Sequence, residues 1–426
     1  MRARSSAVLF VGALVLFGAL PVPFRGRAQA TPSDVRRGVA AAGQGAAREA
    51  LLRGFDPRHR TLVDGHFVTP LASGAQATLT ASPDLEDHIA RLLKANRVPA
   101  AGVVALEPAT GRVLAYVSHS ADGADSVDRA RDASAPAASV FKVITSAALL
   151  SQGVRPEANT CFHGGSSALT MRELVDHKNL DTACASLTGA LGSSLNAVFG
   201  KLALRHLSRG TLREQAAAFG FGEALPFDAK VPPSTLDVPA DKLEFARAAA
   251  GFFHSRMSPL HGAMIASAVA DHGRMMRPFI VEEVRDKQGR LVMRAHPALH
   301  RVAVPRSHAD TLARMMKATV TQGTGRKSFH DERGRPYLPG IEVAGKTGTL
   351  SEENPYRGYT WWVGFAPAAA PKIAVGVLVV NSPEWRIKAP LVGREAMRHF
   401  LVDMPKKAGA VADALAKGGR APSLQK

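Results

Sequence analysis

The chain has 426 residues, 46% hydrophobic and 21% charged, which excludes a disordered polypeptide and leaves room for one large domain with appendages, or for two. The formal net charge is +18. Such a charge suits anionic lipid head groups, acidic envelope polymers or nucleic acid, or is a solvated basic surface; no run of five basic residues occurs and the amino terminus points to export, so nucleic acid is set aside.

Residues 1–30 read as an export signal: Arg2 and Arg4 precede an uncharged stretch from Ala7 to Phe24, and Ala28-Gln29-Ala30 is a small-x-small cleavage site. Arg25 and Arg27 lie between the two, and residues 7–24 are also long enough for an uncleaved anchor. The expected location is the periplasm or cell envelope, soluble after cleavage or anchored. Without residues 1–30, which hold four arginines and no acids, the charge is +14. Residues 31–98 read as a linker or small amino-terminal region, with a short strand at 78–80 and a helix over 83–95 that puts Leu85, Ile89, Leu92 and Leu93 on one face.

A main domain follows over 99–404. It opens with a hairpin at 101–118 that turns at Glu107-Pro108-Ala109-Thr110-Gly111. Helices are predicted over 137–150, over 171–206 with a break near Gly192, over 258–272 and over 309–321. A second hairpin spans 281–293. Strands at 341–349, 360–366 and 373–380 and a helix at 390–402 close the domain. Residues 405–426 read as a basic, loose tail. Strands at both ends with helices between imply an α+β fold: an antiparallel sheet flanked by helices, carrying an all-helical subdomain.

Three motifs carry chemistry. In Ser139-Val140-Phe141-Lys142 the serine and lysine share a helix face, and Lys142 is the only charged residue between Asp132 and Arg155. Burial in so apolar a helix lowers a lysine pKa, and a neutral amine beside a hydroxyl is a general base. In Ser194-Leu195-Asn196, a loop between helices can push a hydroxyl and an amide into a cleft. Either residue also serves as an ordinary helix cap. In Lys346-Thr347-Gly348-Thr349, at the end of a strand, a cation and two hydroxyls can hold a carboxylate, and the Thr349 amide can face an oxyanion. Gly345 and Gly348 are read as leaving room for a ligand along the strand. Cys161 and Cys184 are an even pair in an exported chain, which permits a disulfide worth roughly 3 kcal/mol; two buried thiols are the alternative.

Gly340 to Thr347 has the spacing of a phosphate-binding loop, but it lacks a strand before it, a helix after it and glycines within it, so no nucleotide is expected. No histidine spacing suits a metal, and no cofactor is implied. Trp361, Trp362 and Trp385 are expected to pack beside the strand edge, with Trp361 or Trp362 placed to line the cleft.

The order and context of the three motifs resemble those of the penicillin-binding transpeptidases, relatives of the serine β-lactamases. Ala105 to Ala115, Ser258 to Gly273 with Arg277-Pro278, Thr321 to Gly325 and Trp361 to Pro367 extend the resemblance across roughly residues 99–402. It implies the penicillin-binding, β-lactamase-like fold. Ser139 becomes the acylated nucleophile, Lys142 its base and Ser194 a proton relay. Asn196 becomes a contact to a substrate amide. Lys346, Thr347, Gly348 and Thr349 become the seat of the substrate carboxylate, with an oxyanion hole at the amides of Ser139 and Thr349. The implied activity is peptidoglycan D,D-transpeptidation, with stem peptides and β-lactams as ligands and the inner membrane and cell-wall assembly proteins as candidate partners. A D,D-carboxypeptidase, a serine β-lactamase and a non-turnover sensor or scaffold stay open as alternatives. The segment before residue 99 is too short for the large pedestal of many relatives, and there is no room for a glycosyltransferase module.

Overall fold

Five antiparallel strands make the principal sheet: β1 (Ala100–Leu106), β2 (Val113–Ser120), β3 (Ala344–Glu353), β4 (Tyr356–Ala366) and β5 (Ile373–Asn381), in the spatial order β3-β4-β5-β1-β2. The computed structural model describes residues 47–123, 127–165 and 168–416. The expected signal or anchor segment therefore lies outside the described residues, as does the tail beyond 416. Among the described residues no helix is long and apolar enough to cross a membrane.

Side chains alternate across a strand, so a sheet that reads as continuously apolar must be covered on both faces. Val104, Leu106, Trp361, Val363 and Phe365 face one core, and Val103, Ala105, Trp362, Val375 and Val377 face a second. The helices that matter here are α1 (Pro83–Ala95), α2 (Lys142–Ser151), α3 (Leu187–Ser193), α4 (Asn196–His206), α5 (Pro259–Ala270), α6 (Arg306–Thr321) and α7 (Ala389–Arg398). Helix α5 is buried along its whole length and packs with α2 in the first core, whereas α1 and α7 close the second. Ser82 caps α1 through Leu85 N, and Ser258 caps α5 through His261 N, as short hydroxyl side chains do at free helix amides.

Three differences from the sequence expectations have physical causes. First, the stretch read as a linker holds strands Thr61–Val63, His66–Pro70 and Gln76–Leu79, which join Val281–Arg285 and Leu291–Arg294 in a second five-stranded sheet. The described residues from Leu51 onward form one compact unit. These strands are short, and outward polar residues dilute their apolar pattern. Second, the helical insertion is not all-helical: two short ladders pair Asn159–Phe162 with Ala183–Ser186 and Thr235–Leu236 with Ser255–Arg256. Third, residues 405–416, read as the start of the basic tail, continue a helix, Met404–Ala416, beyond a π-turn at His399–Asp403.

Candidate active site

Ser139 sits in a 3-10 turn, Ala138–Phe141, immediately before α2. With three residues per turn, positions i and i+3 eclipse, so Lys142 lies directly beneath the serine. The Lys142 Nζ is 2.9 Å from Ser139 Oγ. The turn is pinned from outside: Ala137 N donates to Ser255 O at 2.9 Å and Trp361 Nε1 to Pro136 O at 2.8 Å. Ala138 adopts φ +51, a left-handed conformation that costs an L-residue roughly 1–2 kcal/mol. Gly251 passes so close that a Cβ there would stand 2.3 Å from Ala138 O.

Lys142 is fully buried. Burial, reinforced by the nearby Lys346 charge, holds its pKa well below the ordinary lysine range. The amine also approaches Asn196 Oδ1 at 2.7 Å and Ala250 O at 2.6 Å. A neutral amine has two N–H bonds and one lone pair. Two acceptors engage the hydrogens and leave the lone pair for the Ser139 hydroxyl, the arrangement a general base requires.

Ser194 ends α3 in a left-handed conformation, φ 59, and Leu195 N returns to Ala190 O at 2.9 Å before α4 begins at Asn196. This sharp break, two residues beyond Gly192, turns the Ser194 hydroxyl and the Asn196 amide into the same cleft. Lys346 Nζ donates to Ser194 Oγ at 3.1 Å and to Thr347 O at 2.8 Å. Lys346 is wholly buried, and burial lowers its pKa to about 7. The Thr347 hydroxyl is 2.5 Å from that of Thr324, whose backbone N donates to Gly192 O at 3.0 Å. Thr349 is exposed on the β3 edge.

These groups open on a cleft of about 730 Å3, lined by Ser139, Ser194, Asn196, Thr347, Gly348 and Thr349. All the residues singled out in the three motifs meet around it. The cleft is also lined by residues to which the sequence reading gave no site role: Phe252, Phe253, Thr324, Trp385 and Lys388. Two of them had an indirect signal: Thr324 lies in the Thr321 to Gly325 stretch that extends the family resemblance, and Trp385 was expected to pack beside the strand edge.

Four expectations need correction. Trp361 and Trp362 are completely buried, and it is Trp385 that lines the cleft. The two glycines serve the core as well as the ligand side: a Cβ on Gly345 would fall 2.3 Å from the Trp362 ring, and one on Gly348 would fall 3.1 Å from Trp361 Cβ and 3.2 Å from Ala138 Cβ. Lys346, expected at the end of a strand, lies near the start of β3 and is wholly buried. The turn that carries Ser139 is 3-10 rather than α-helical.

Cys161 and Cys184 face each other in the short ladder and are disulfide-bonded. The loop between them is clamped onto α4: buried Lys201 donates to Asp181 Oδ2 at 2.6 Å and to Cys161 O at 3.2 Å, and His163 Nδ1 lies 2.6 Å from Asp181 Oδ1. Gly340 to Thr347 forms no phosphate loop, because β3 runs through Lys346 and Thr347 and continues to Glu353 with no helix behind it.

A family model of the penicillin-binding protein transpeptidase domain matches residues 101–397. The peptidoglycan D,D-transpeptidase PbpA of Mycolicibacterium smegmatis is 30% identical over 382 residues, 80% of this chain and 75% of that protein. PbpA of Mycobacterium tuberculosis is 30% identical over 318 residues, 66% of this chain and 62% of that protein. Among solved structures, the D,D-transpeptidase domain of a peptidoglycan glycosyltransferase from Eggerthella lenta aligns with a TM-score of 0.66 at 26% identity, covering 79% of this chain and 85% of that one. The ceftriaxone acyl-enzyme of penicillin-binding protein A from M. tuberculosis aligns with a TM-score of 0.65 at 26% identity, covering 76% and 80%.

Proposed function

The chain belongs to the penicillin-binding protein transpeptidase family, and from that premise we propose that it is a cell-envelope peptidoglycan D,D-transpeptidase working through an acyl-enzyme on Ser139. The observation that carries the proposal is the contact of a fully buried Lys142 amine with Ser139 Oγ at 2.9 Å.

The donor is a stem peptide ending in D-Ala-D-Ala. Its terminal carboxylate lies against the Thr347 and Thr349 hydroxyls near Lys346, which a pKa of about 7 leaves substantially cationic near neutral pH. Lys142 takes the Ser139 proton as Oγ attacks the penultimate D-Ala carbonyl. The amides of Ser139 and Thr349 receive the oxyanion. As the C–N bond breaks, the departing D-Ala amine takes a proton from Ser194 Oγ, which is refilled by the Lys346 ammonium hydrogen-bonded to it. The Ser139 ester is then attacked by an acceptor amine, whose proton passes back through Ser194 to Lys346, while Lys142 returns its proton to Ser139 Oγ; the hydroxyl is restored and the cross-link formed. A β-lactam enters by the same route and stays as an ester. No carboxylate lines the cleft among the described residues, so a fast hydrolytic step of the β-lactamase kind has no acidic base there. Residues 99–404 are assigned as the catalytic domain, with the amino terminus acting as a secretion signal or membrane anchor.

The test is intact-protein mass spectrometry after exposure to a fluorescent penicillin. We expect one penicilloyl adduct, mapped to Ser139 and absent from Ser139→Ala. Rapid drug hydrolysis without a lasting adduct would point instead to a β-lactamase, and no reaction at all would remove the nucleophile assignment.

A further inference from the structure

The cleft is lined by hydroxyls from Ser139, Ser194, Thr347 and Thr349 and by apolar groups from Phe253 and Leu350. Among the residues that line it, Lys388 is the only ionisable one. It is exposed, and among the described residues no carboxylate pairs with it. The acid nearest in sequence, Glu384, is engaged by Arg386. The Lys388 ammonium lies 5.2 Å from the centroid of the Trp385 ring. That ring is itself fixed: its Nε1 donates to Tyr356 OH at 2.6 Å, and it rests on Gly358, where a Cβ would come within 2.7 Å of it.

The position of this pair along the cleft follows from the register of β3 with β4. Thr349 stands opposite Thr360, and Ser351 stands opposite Gly358, the residue beneath Trp385. The backbone N–H of Ala389, next to Lys388, donates to Thr360 Oγ1 at 3.0 Å. From Thr349 to Ser351 is about 7 Å of extended chain. This inference rests on the donor reading above: with the terminal carboxylate at Thr347 and the reacting carbonyl at Thr349, the donor continues past Ser351. The side chain of its residue before the two D-alanines then reaches the Trp385–Lys388 wall.

We propose that Trp385 and Lys388 form a specificity subsite for a donor stem whose residue before D-Ala-D-Ala bears a side-chain carboxylate, with Trp385 covering its methylenes and Lys388 pairing with its charge. A stem with a carboxamide or a lone ammonium at that position is disfavoured.

The probes are 6-adipoylaminopenicillanic acid and its terminal carboxamide, two penicillins that differ only in that charge. The second-order rate of Ser139 acylation is measured for each on the full chain, and their ratio is taken within each variant, so that a general loss of activity or fold cancels. We expect the carboxylate to react roughly fivefold faster, the scale of an exposed ion pair. The ratio should survive in Lys388→Arg, fall to about one in Lys388→Gln, drop below one in Lys388→Glu and shrink with added salt. A ratio of about one in the unmodified protein, or one unchanged in Lys388→Gln, overturns the subsite. If benzylpenicillin also fails to acylate Ser139, the acyl-enzyme reading fails and the subsite falls with it.

Discussion

At the scale of single residues, the site works through two lysines that the fold deprives of water. Under the proposed mechanism Lys142 is the base, so Lys142→Met should lower the rate of penicillin acylation by about 10²–10⁴, the usual yield of a positioned base. Single-turnover kinetics with benzylpenicillin would read this, and a variant within threefold of the parent would exclude Lys142 as the base. Lys346 gives a stability prediction with a definite sign. Its folded pKa is about 7 against an ordinary 10.5, so between those values the unfolded chain binds more protons. The cost of burying the cation is therefore fully present below about pH 7 and is lifted as pH rises toward 10.5. Thermal melts should show the parent gaining on Lys346→Met between pH 7 and 9.5; a constant difference across that range would contradict the depressed pKa. The sequence made Ser139 and Lys142 legible by spacing and by the missing charges around them. It named burial as what lowers the lysine pKa, but not the distant segments that line the amine, such as Ala250 and Asn196.

At the scale of elements, close backbone approach positions the turn that carries Ser139. Gly251 has φ +81 and touches the Ala138 carbonyl, so a methyl group at residue 251 has no space and an unfavourable conformation. Gly251→Ala should displace the Ala138–Phe141 turn and depress acylation at least tenfold, a loss of about 1.4 kcal/mol in transition-state stabilisation. Retained acylation kinetics would show that the turn tolerates the shift. The disulfide acts on a different element. Its 23-residue separation is worth about 3 kcal/mol in the chain-entropy model. The Cys161→Ala, Cys184→Ala double variant should melt about 4 °C lower, given the unfolding entropy of a chain this long. The acylation rate at 25 °C separates a loosened hairpin from a damaged site, because Lys201 still holds Asp181 against α4. Helix α1 and the strands of the main sheet were readable from periodicity alone, with boundaries within a few residues. The Asn159–Phe162 ladder was not, because four-residue strands of mixed polarity carry too short a period to stand out.

At the scale of the whole molecule, residues 51–98 are part of the structure that carries the site. Arg60 pairs with buried Glu86, whose carboxylate also accepts from Tyr116 N at 2.7 Å, and Arg131 Nε meets buried Asp128 at 2.9 Å. Leu79 and Val281 pair across the second sheet, both buried. A chain begun at residue 81 would strip three strands from that sheet and leave Val281 and Val284 uncovered. It should therefore aggregate or melt well below the parent, as size-exclusion chromatography and calorimetry would reveal; a monomer of parental stability would show the segment to be dispensable. This dependence was hidden from sequence reading because it rests on pairing between segments some 200 residues apart.

The tryptophans give the protein an optical property. It has three; two are sealed in separate cores and the third stands in the cleft wall beside an ammonium group. A change in intrinsic fluorescence when a ligand enters is therefore expected mainly from one indole, so occupancy of the donor side can be followed in real time without a label and most of the signal should be lost in Trp385→Phe.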